Sequence, residues 1–140
     1  MLPDELKARA RRIAQELLTQ GDVAIASELF APDCPHHAPI PLTPGPAGAR
    51  HWITTLRRAF PDLRASVEDE LADGNAVALR LTLAGTHEGE WLTLPPTGRR
   101  LTWSLVAVLH AGTDGTFTEH WQCWDPEKLR QQLDDNADEN

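Results

Sequence analysis

A histidine and an amide stand two residues apart near the end of the chain, His120 and Gln122, inside a segment running from Phe117 to Trp124. Read as a strand, this segment puts Thr118, His120, Gln122 and Trp124 on one face and Glu119, Trp121 and Cys123 on the other. Imidazole titrates near neutrality, which suits general acid–base work. The alternative for His120 is a hydrogen-bonded structural histidine in a polar spot of the core. Gln122 beside it can orient a ligand carbonyl, or can be a buried amide satisfied by the protein. Asp125, just before Pro126, reads first as the cap of a final helix.

Other polar groups divide in the same way. Arg80 falls on the polar face of an otherwise apolar strand. It is a candidate for a substrate carboxylate or enolate, or for a scaffold pair with Glu68, Asp69 or Glu119, because an unpaired buried charge is very costly. His87, in Gly85-Thr86-His87, is placed either at a pocket rim or in structural hydrogen bonding. Trp52, Trp91, Trp103 and Trp124 can make flat walls for an aromatic or polycyclic ligand, or can be plain core. Two of the four are expected to line a pocket. His36 and His37 are adjacent, so extended chain cannot point both inward.

Several chemistries lack their residues. Histidine and cysteine spacing gives no metal motif. No phosphate-cradling glycine loop and no Gly-x-Ser-x-Gly elbow occurs. Five Trp and three Phe are present but no Tyr, so a tyrosine oxyanion donor is excluded.

The 140 residues suit one domain, with an expected boundary at 1–133 and an acidic, disordered tail at 134–140. A net charge of -8 repels phosphate, which argues against nucleic acid and anionic membrane as partners. The longest purely apolar run, 105–109, is too short to cross a bilayer, and no leader-like segment opens the chain. A cytoplasmic protein is expected, with Cys34 and Cys123 as thiols serving as small apolar fillers.

The elements that must position these groups follow from periodicity. Leu6, Ala10, Ile13 and Leu17 recur at helical spacing, opened by Pro3 and closed by Gly21. Asp22 is expected to cap a short helix through Phe30. Five prolines and two glycines in 34–48 predict a long loop, of the kind that covers a site. A helix with Trp52, Ile53, Leu56, Ala59 and Phe60 on one face follows, ended by Pro61. Beyond it the chain reads as strands. Asp73-Gly74-Asn75 predicts a hairpin turn, and Val77, Leu79, Leu81 and Leu83 alternate with smaller or polar residues. Residues 90–94 continue this strand-rich half to a turn at Pro95-Pro96-Thr97-Gly98. Two further strands and a short helix from Pro126 complete it. The fold class is therefore α+β, with N-terminal helices over a curved, mostly antiparallel sheet, forming a cone with an apolar pocket.

Four motifs in order carry a more specific reading: Ala59-Phe60-Pro61-Asp62-Leu63, Gly85-Thr86-His87-Glu88-Gly89-Glu90, Pro95-Pro96-Thr97-Gly98-Arg99, and Glu119-His120-Trp121 with Asp125. Together they resemble the SnoaL-like polyketide cyclases, of the cone-shaped superfamily named for nuclear transport factor two. The resemblance implies a cystatin-like α+β barrel, a homodimer or higher oligomer, an apolar pocket and no cofactor. It also implies ring closure of a polyketide by intramolecular aldol chemistry, with an Asp at its centre. Here that position is Gln122. The resemblance turns the His120 face inward and places a polar residue, His37, at the pocket mouth, leaving His36 exposed.

The expectation is a cyclase- or isomerase-type enzyme acting on a small hydrophobic carbonyl compound. His120 and Gln122 would be catalytic, and His37, Trp52, Arg80, His87, Trp103 and Trp124 would bind ligand. The alternative is a non-catalytic protein that holds an apolar ligand.

Overall fold

The computed structural model describes residues 1–134, so the expected tail lies, but for Asp134, outside the described residues. Helix α1 spans Pro3–Arg12 and runs on as a π-helical stretch, Ile13–Thr19. Asp4 and Glu5 in its first turn and three arginines in its last complement the helix dipole. Its apolar stripe (Leu6, Ala10, Ile13, Ala14, Leu17, Leu18) is buried. Gly21 ends it at φ 70°, its N–H donating to the Leu17 carbonyl. Asp22 precedes a short 3-10 turn, Val23–Ile25, and α2, Ala26–Leu29, but its side chain makes no cap bond, against expectation.

The remaining elements are β1 (His36–His37), α3 (Gly45–Ala59), β2 (Arg64–Asp73), β3 (Ala76–Thr86), β4 (Arg100–Ala111), β5 (Phe117–Cys123) and α4 (Pro126–Leu133). The sheet runs β1-β5-β4-β3-β2 and is open, with β1 parallel to β5 and every other pair antiparallel. The fold is thus α+β, as the periodicity predicts. Alternate residues of the two long central strands, Val77 to Leu83 and Leu101 to Leu109, are buried under the helices. Each such leucine contributes about 1.5–3 kcal/mol of transfer free energy.

Three local readings are corrected. The proline-rich loop ends sooner than expected, because Gly45 and Pro46 already begin α3, where a missing N–H is harmless. Residues 90–94 form no strand. Trp91 and Leu94 bond each other's backbone at 3.0 and 2.9 Å around Leu92 (φ 52°) and Thr93 (φ 66°). Such φ values are rare for a β-branched residue. Arg130 of α4 holds this turn, donating to the Leu92 carbonyl at 2.7 Å and Thr93 Oγ1 at 3.1 Å.

The third correction lies in β5. His110 pairs with Glu119, and Ala111 with Phe117, so Thr118 is an extra residue at a register shift. Phe117 and His120 are therefore both buried, and Thr118, expected on the same face as His120, is exposed.

Candidate functional site

The interior cavity lies between α3 and the concave side of the sheet. Helix α3 offers His51, Trp52, Thr55 and Leu56, a single helical face. The strands offer Leu83, Trp103 and Leu105, and the proline-rich loop offers Ile40. Trp91 and Trp124 complete the wall, stacked with ring centroids 5.7 Å apart and 20° between planes. All four tryptophans of the sequence reading line the cavity, where two were expected. Trp91 lies 5.7 Å from both Trp103 and Trp124, and free space is only about 30 Å³, room for about two waters.

The polar groups lie one side chain behind this wall. His120 is fully buried, its ring 5.7 Å from Trp52 and 5.5 Å from Phe30. Gln122 is buried beside Trp124, whose indole N–H donates to Gln122 Oε1 at 2.8 Å. That donor fixes the amide orientation and leaves the Gln122 NH2 without a partner. Gln122 also borders an open groove at the sheet edge, with residues 38–42 and Trp121. Ile40 touches both groove and cavity, so the loop is the partition between them.

His36 completes the polar layer. The parallel pairing of β1 with β5 sets it opposite His120, and the two Nδ1 atoms are 2.8 Å apart. Its Nε2 donates to the Gly45 carbonyl at 2.8 Å, since a carbonyl can only accept. Neutral His36 then has a lone pair at Nδ1, so His120 Nδ1 donates to it. His120 Nε2 is left as a buried lone pair with no partner. Burial pushes the His120 pKa down to about 3, with like charge on His36 and His37 adding to it. Burial lowers His36 too, opposed by the Gly45 carbonyl. Both rings are neutral at pH 7.

Gly45 and Gly48 shape this corner. Gly45 has φ 78°, and a Cβ there would run into the Pro32 carbonyl. A Cβ on Gly48 would collide with the Thr43 carbonyl and stand 3.1 Å from His36 Cδ2.

The structure separates the predicted site residues. His120, Gln122, Trp52, Trp103 and Trp124 are brought together. His37 and His36 exchange the places expected of them: His36 is buried, while His37 faces out, stacked on Trp121 at 3.8 Å and bonded to Glu119 at 3.0 Å. The parallel register of a two-residue strand decides this. Arg80 lies on the outer face and pairs with Asp69 at 2.7 Å, the scaffold role among its alternatives. His87 is buried against Phe60 and off the cavity wall. Its Nδ1 accepts from the Thr97 N–H at 3.2 Å, which ties down the 87–99 segment. Asp125 caps α4, accepting from the Lys128 N–H at 3.1 Å. Cys34 is a buried thiol pushed up to about 12 by desolvation, whereas Cys123 is exposed and fills nothing.

Sequence reasoning missed His36, His51 and Thr55. His51 and Thr55 had a readable signal, one step before Trp52 and Leu56 on α3. His36 had none, because its inward turn depends on a long-range pairing.

The fold recurs in known proteins. Structurally similar chains include AclR from Streptomyces galilaeus, a proposed hydroxylase, with TM-score 0.81, 30% identity, and coverage of 94% of this chain and 97% of that one. IdmH from Streptomyces antibioticus, a proposed polyketide cyclase, has TM-score 0.78, 29% identity, and coverage of 92% and 98%. A SnoaL-like polyketide cyclase fold from Jannaschia sp. CCS1 aligns with TM-score 0.84 at 20% identity, covering 94% and 92%. No curated protein matches the sequence. The sequence model described as SnoaL-like polyketide cyclase matches residues 8–133, nearly the whole described chain, and so the protein belongs to the SnoaL-like polyketide cyclase family.

Proposed function

We propose that this protein is a cofactor-free enzyme of the cyclase or isomerase kind, acting by proton transfer on a small hydrophobic carbonyl compound. One observation carries the reading. The inward face of β5 presents an unpartnered acceptor, His120 Nε2, and two residues on an unpartnered donor, the Gln122 NH2. Unpaired buried polar atoms are costly, and a complementary pair of them matches an enolisable carbonyl. The amide donates to the carbonyl oxygen and the imidazole takes a proton from the neighbouring carbon. Residues i and i+2 of a strand are about 6.6 Å apart, which leaves room for one such group between two hydrogen-bond lengths.

The depressed basicity of His120 selects the substrate. A ring with a conjugate acid near 3 is neutral and available at pH 7 but weak, so it suits a carbon already acidified by two flanking carbonyls. The tryptophan walls favour a flat, apolar framework. Entry requires the loop carrying Ile40 to give way, since the cavity holds about 30 Å³ of free space. Similar chains carry the names hydroxylase and cyclase at almost equal identity, so likeness alone does not choose the reaction; the donor–acceptor pair favours proton transfer.

Turnover of β-keto, polyketide-like thioesters tests this. His120→Ala is expected to lower the rate by about 10²–10⁴. Full rate in that variant removes the proposed role. Calorimetric binding of an apolar aromatic compound with no turnover by the wild type supports the alternative, a non-catalytic carrier.

A homodimer is part of the same proposal. Val106 and Trp121 stand exposed on neighbouring strands of the outer sheet face, a pattern suited to a second copy.

A further inference from the structure

The paired buried histidines, His36 and His120, raise a question that His120 alone does not answer. A fully buried imidazole that takes a proton at Nε2 becomes a cation against the rings of Phe30 and Trp52, with no carboxylate paired to it among the described residues. Among the described residues the one hydrogen-bond partner of its ring is His36 Nδ1, at 2.8 Å. His36 in turn is anchored at its far nitrogen by the Gly45 carbonyl, also at 2.8 Å. The three groups form a chain of carbonyl, imidazole and imidazole that ends in the lone pair at His120 Nε2.

We propose that His36 and His120 act as a single base, in which His120 receives the substrate proton and His36 holds the resulting charge. This deepens the reading of His120 as the proton-transferring group and rests on it. The substrate C–H bond breaks, and its electron pair stays on the substrate as an enolate. A new N–H bond forms at His120 Nε2. The N–H bond at His120 Nδ1 breaks as its proton crosses 2.8 Å to the His36 Nδ1 lone pair. His120 ends neutral with its proton on Nε2, and His36 ends as an imidazolium donating through both nitrogens, one bond to Gly45 and one to His120. Return of the proton to the product reverses every step, so no acid, base or oxidant is consumed.

The surroundings favour the charge on His36. It sits at the sheet edge, less deeply buried than His120, and points at a carbonyl dipole. The direction of the shifts agrees, since burial lowers both rings but the Gly45 carbonyl offsets it only at His36. The other titratable groups near the pair are His37 on β1, Glu119 on β5, and Asp33 and Cys34 just ahead of β1. His37 opposes a charge on the pair, while its own contact with Glu119 compensates it. Phe30, just after α2, and Trp52 and the Gly45 carbonyl of α3 face the rings.

His36 is then a positioning residue with two duties: it sets the His120 tautomer, and it accepts a proton. The duties are separable. His36→Asn retains an acceptor for His120 Nδ1–H but cannot be protonated. The test is nitrogen-15 NMR of the histidine rings in the ligand-free protein through an acid titration. In the wild type, His120 is expected as the Nδ1–H tautomer and His36 as Nε2–H. The first proton taken up by the pair should convert His36 to imidazolium and move His120 to Nε2–H. In His36→Asn the Nδ1–H tautomer of His120 should persist while the titration moves down by at least about one unit. His120 found as Nε2–H at neutral pH, the first cation found on His120, or an unshifted titration in His36→Asn each overturns the proposal. If His36→Asn does not fold, the two wild-type signatures decide alone. Because no substrate is used, these results stand apart from turnover: an inactive protein with the expected tautomers would refute the enzyme reading and leave the relay.

Discussion

The depressed pKa values of His36, His87 and His120 make stability depend on pH in one direction. Each ring is neutral in the folded chain and accepts a proton near pH 6.5 once unfolded. The unfolded state therefore binds more protons below that pH, and the stabilisation present above it is lost as pH falls from about 6.5 toward 3. Chemical denaturation at pH 7.5 and 5 is expected to show a lower midpoint at the acid pH. Replacing His120 by Gln should flatten that dependence, and an unchanged slope would mean His120 is not the group responsible. At this scale the sequence was legible where a residue's role depends on its own strand. That His120 and Gln122 share a face follows from alternation, the inward sense of that face from the family resemblance, and the Asp125 cap from its place before Pro126. It was illegible where parity depends on a partner. One extra residue at Thr118 and a two-residue parallel strand decided which of two neighbours turned inward, and neither leaves a mark in composition.

Helix α3 and the loop before it act together on the site. The loop supplies Ile40 and His36, and the helix supplies Trp52 and the carbonyl that holds His36. Their close contact depends on Gly48, where any side chain would press on Thr43 and on the His36 ring. Gly48→Ala is expected to cost about 1–3 kcal/mol through overpacking, read as a lowered melting temperature. It should also disturb His36 more than the distant His87, which ring NMR can distinguish. The long helices and β3 were readable because their periodicity is strong and their burial one-sided. The turn at 91–94 was not. Leu92 and Thr93 are poor residues for positive φ, and the Arg130 guanidinium, 37 residues away in sequence from Thr93, braces the conformation from another element.

Across the whole molecule, the sheet divides two tasks. Its inner face, with the helices, closes over the aromatic cavity and the histidine pair. Its outer face carries the Arg80–Asp69 and His37–Glu119 pairs around exposed Val106 and Trp121. If that face joins two copies, Trp121→Glu should convert a dimer to a monomer in sedimentation velocity while leaving the fold intact. A monomeric wild type would refute the assembly. None of the described helices is long and apolar enough to cross a membrane.

The tryptophan lining has an optical consequence. With no tyrosine in the chain, the near-ultraviolet emission comes from five indoles, and four of them wall the cavity. Trp91 and Trp124, stacked nearly parallel at 5.7 Å, form a coupled chromophore whose circular dichroism band reports their separation. The protein therefore carries its own label in the cavity wall, and a displaced indole there would be visible without any dye or added probe.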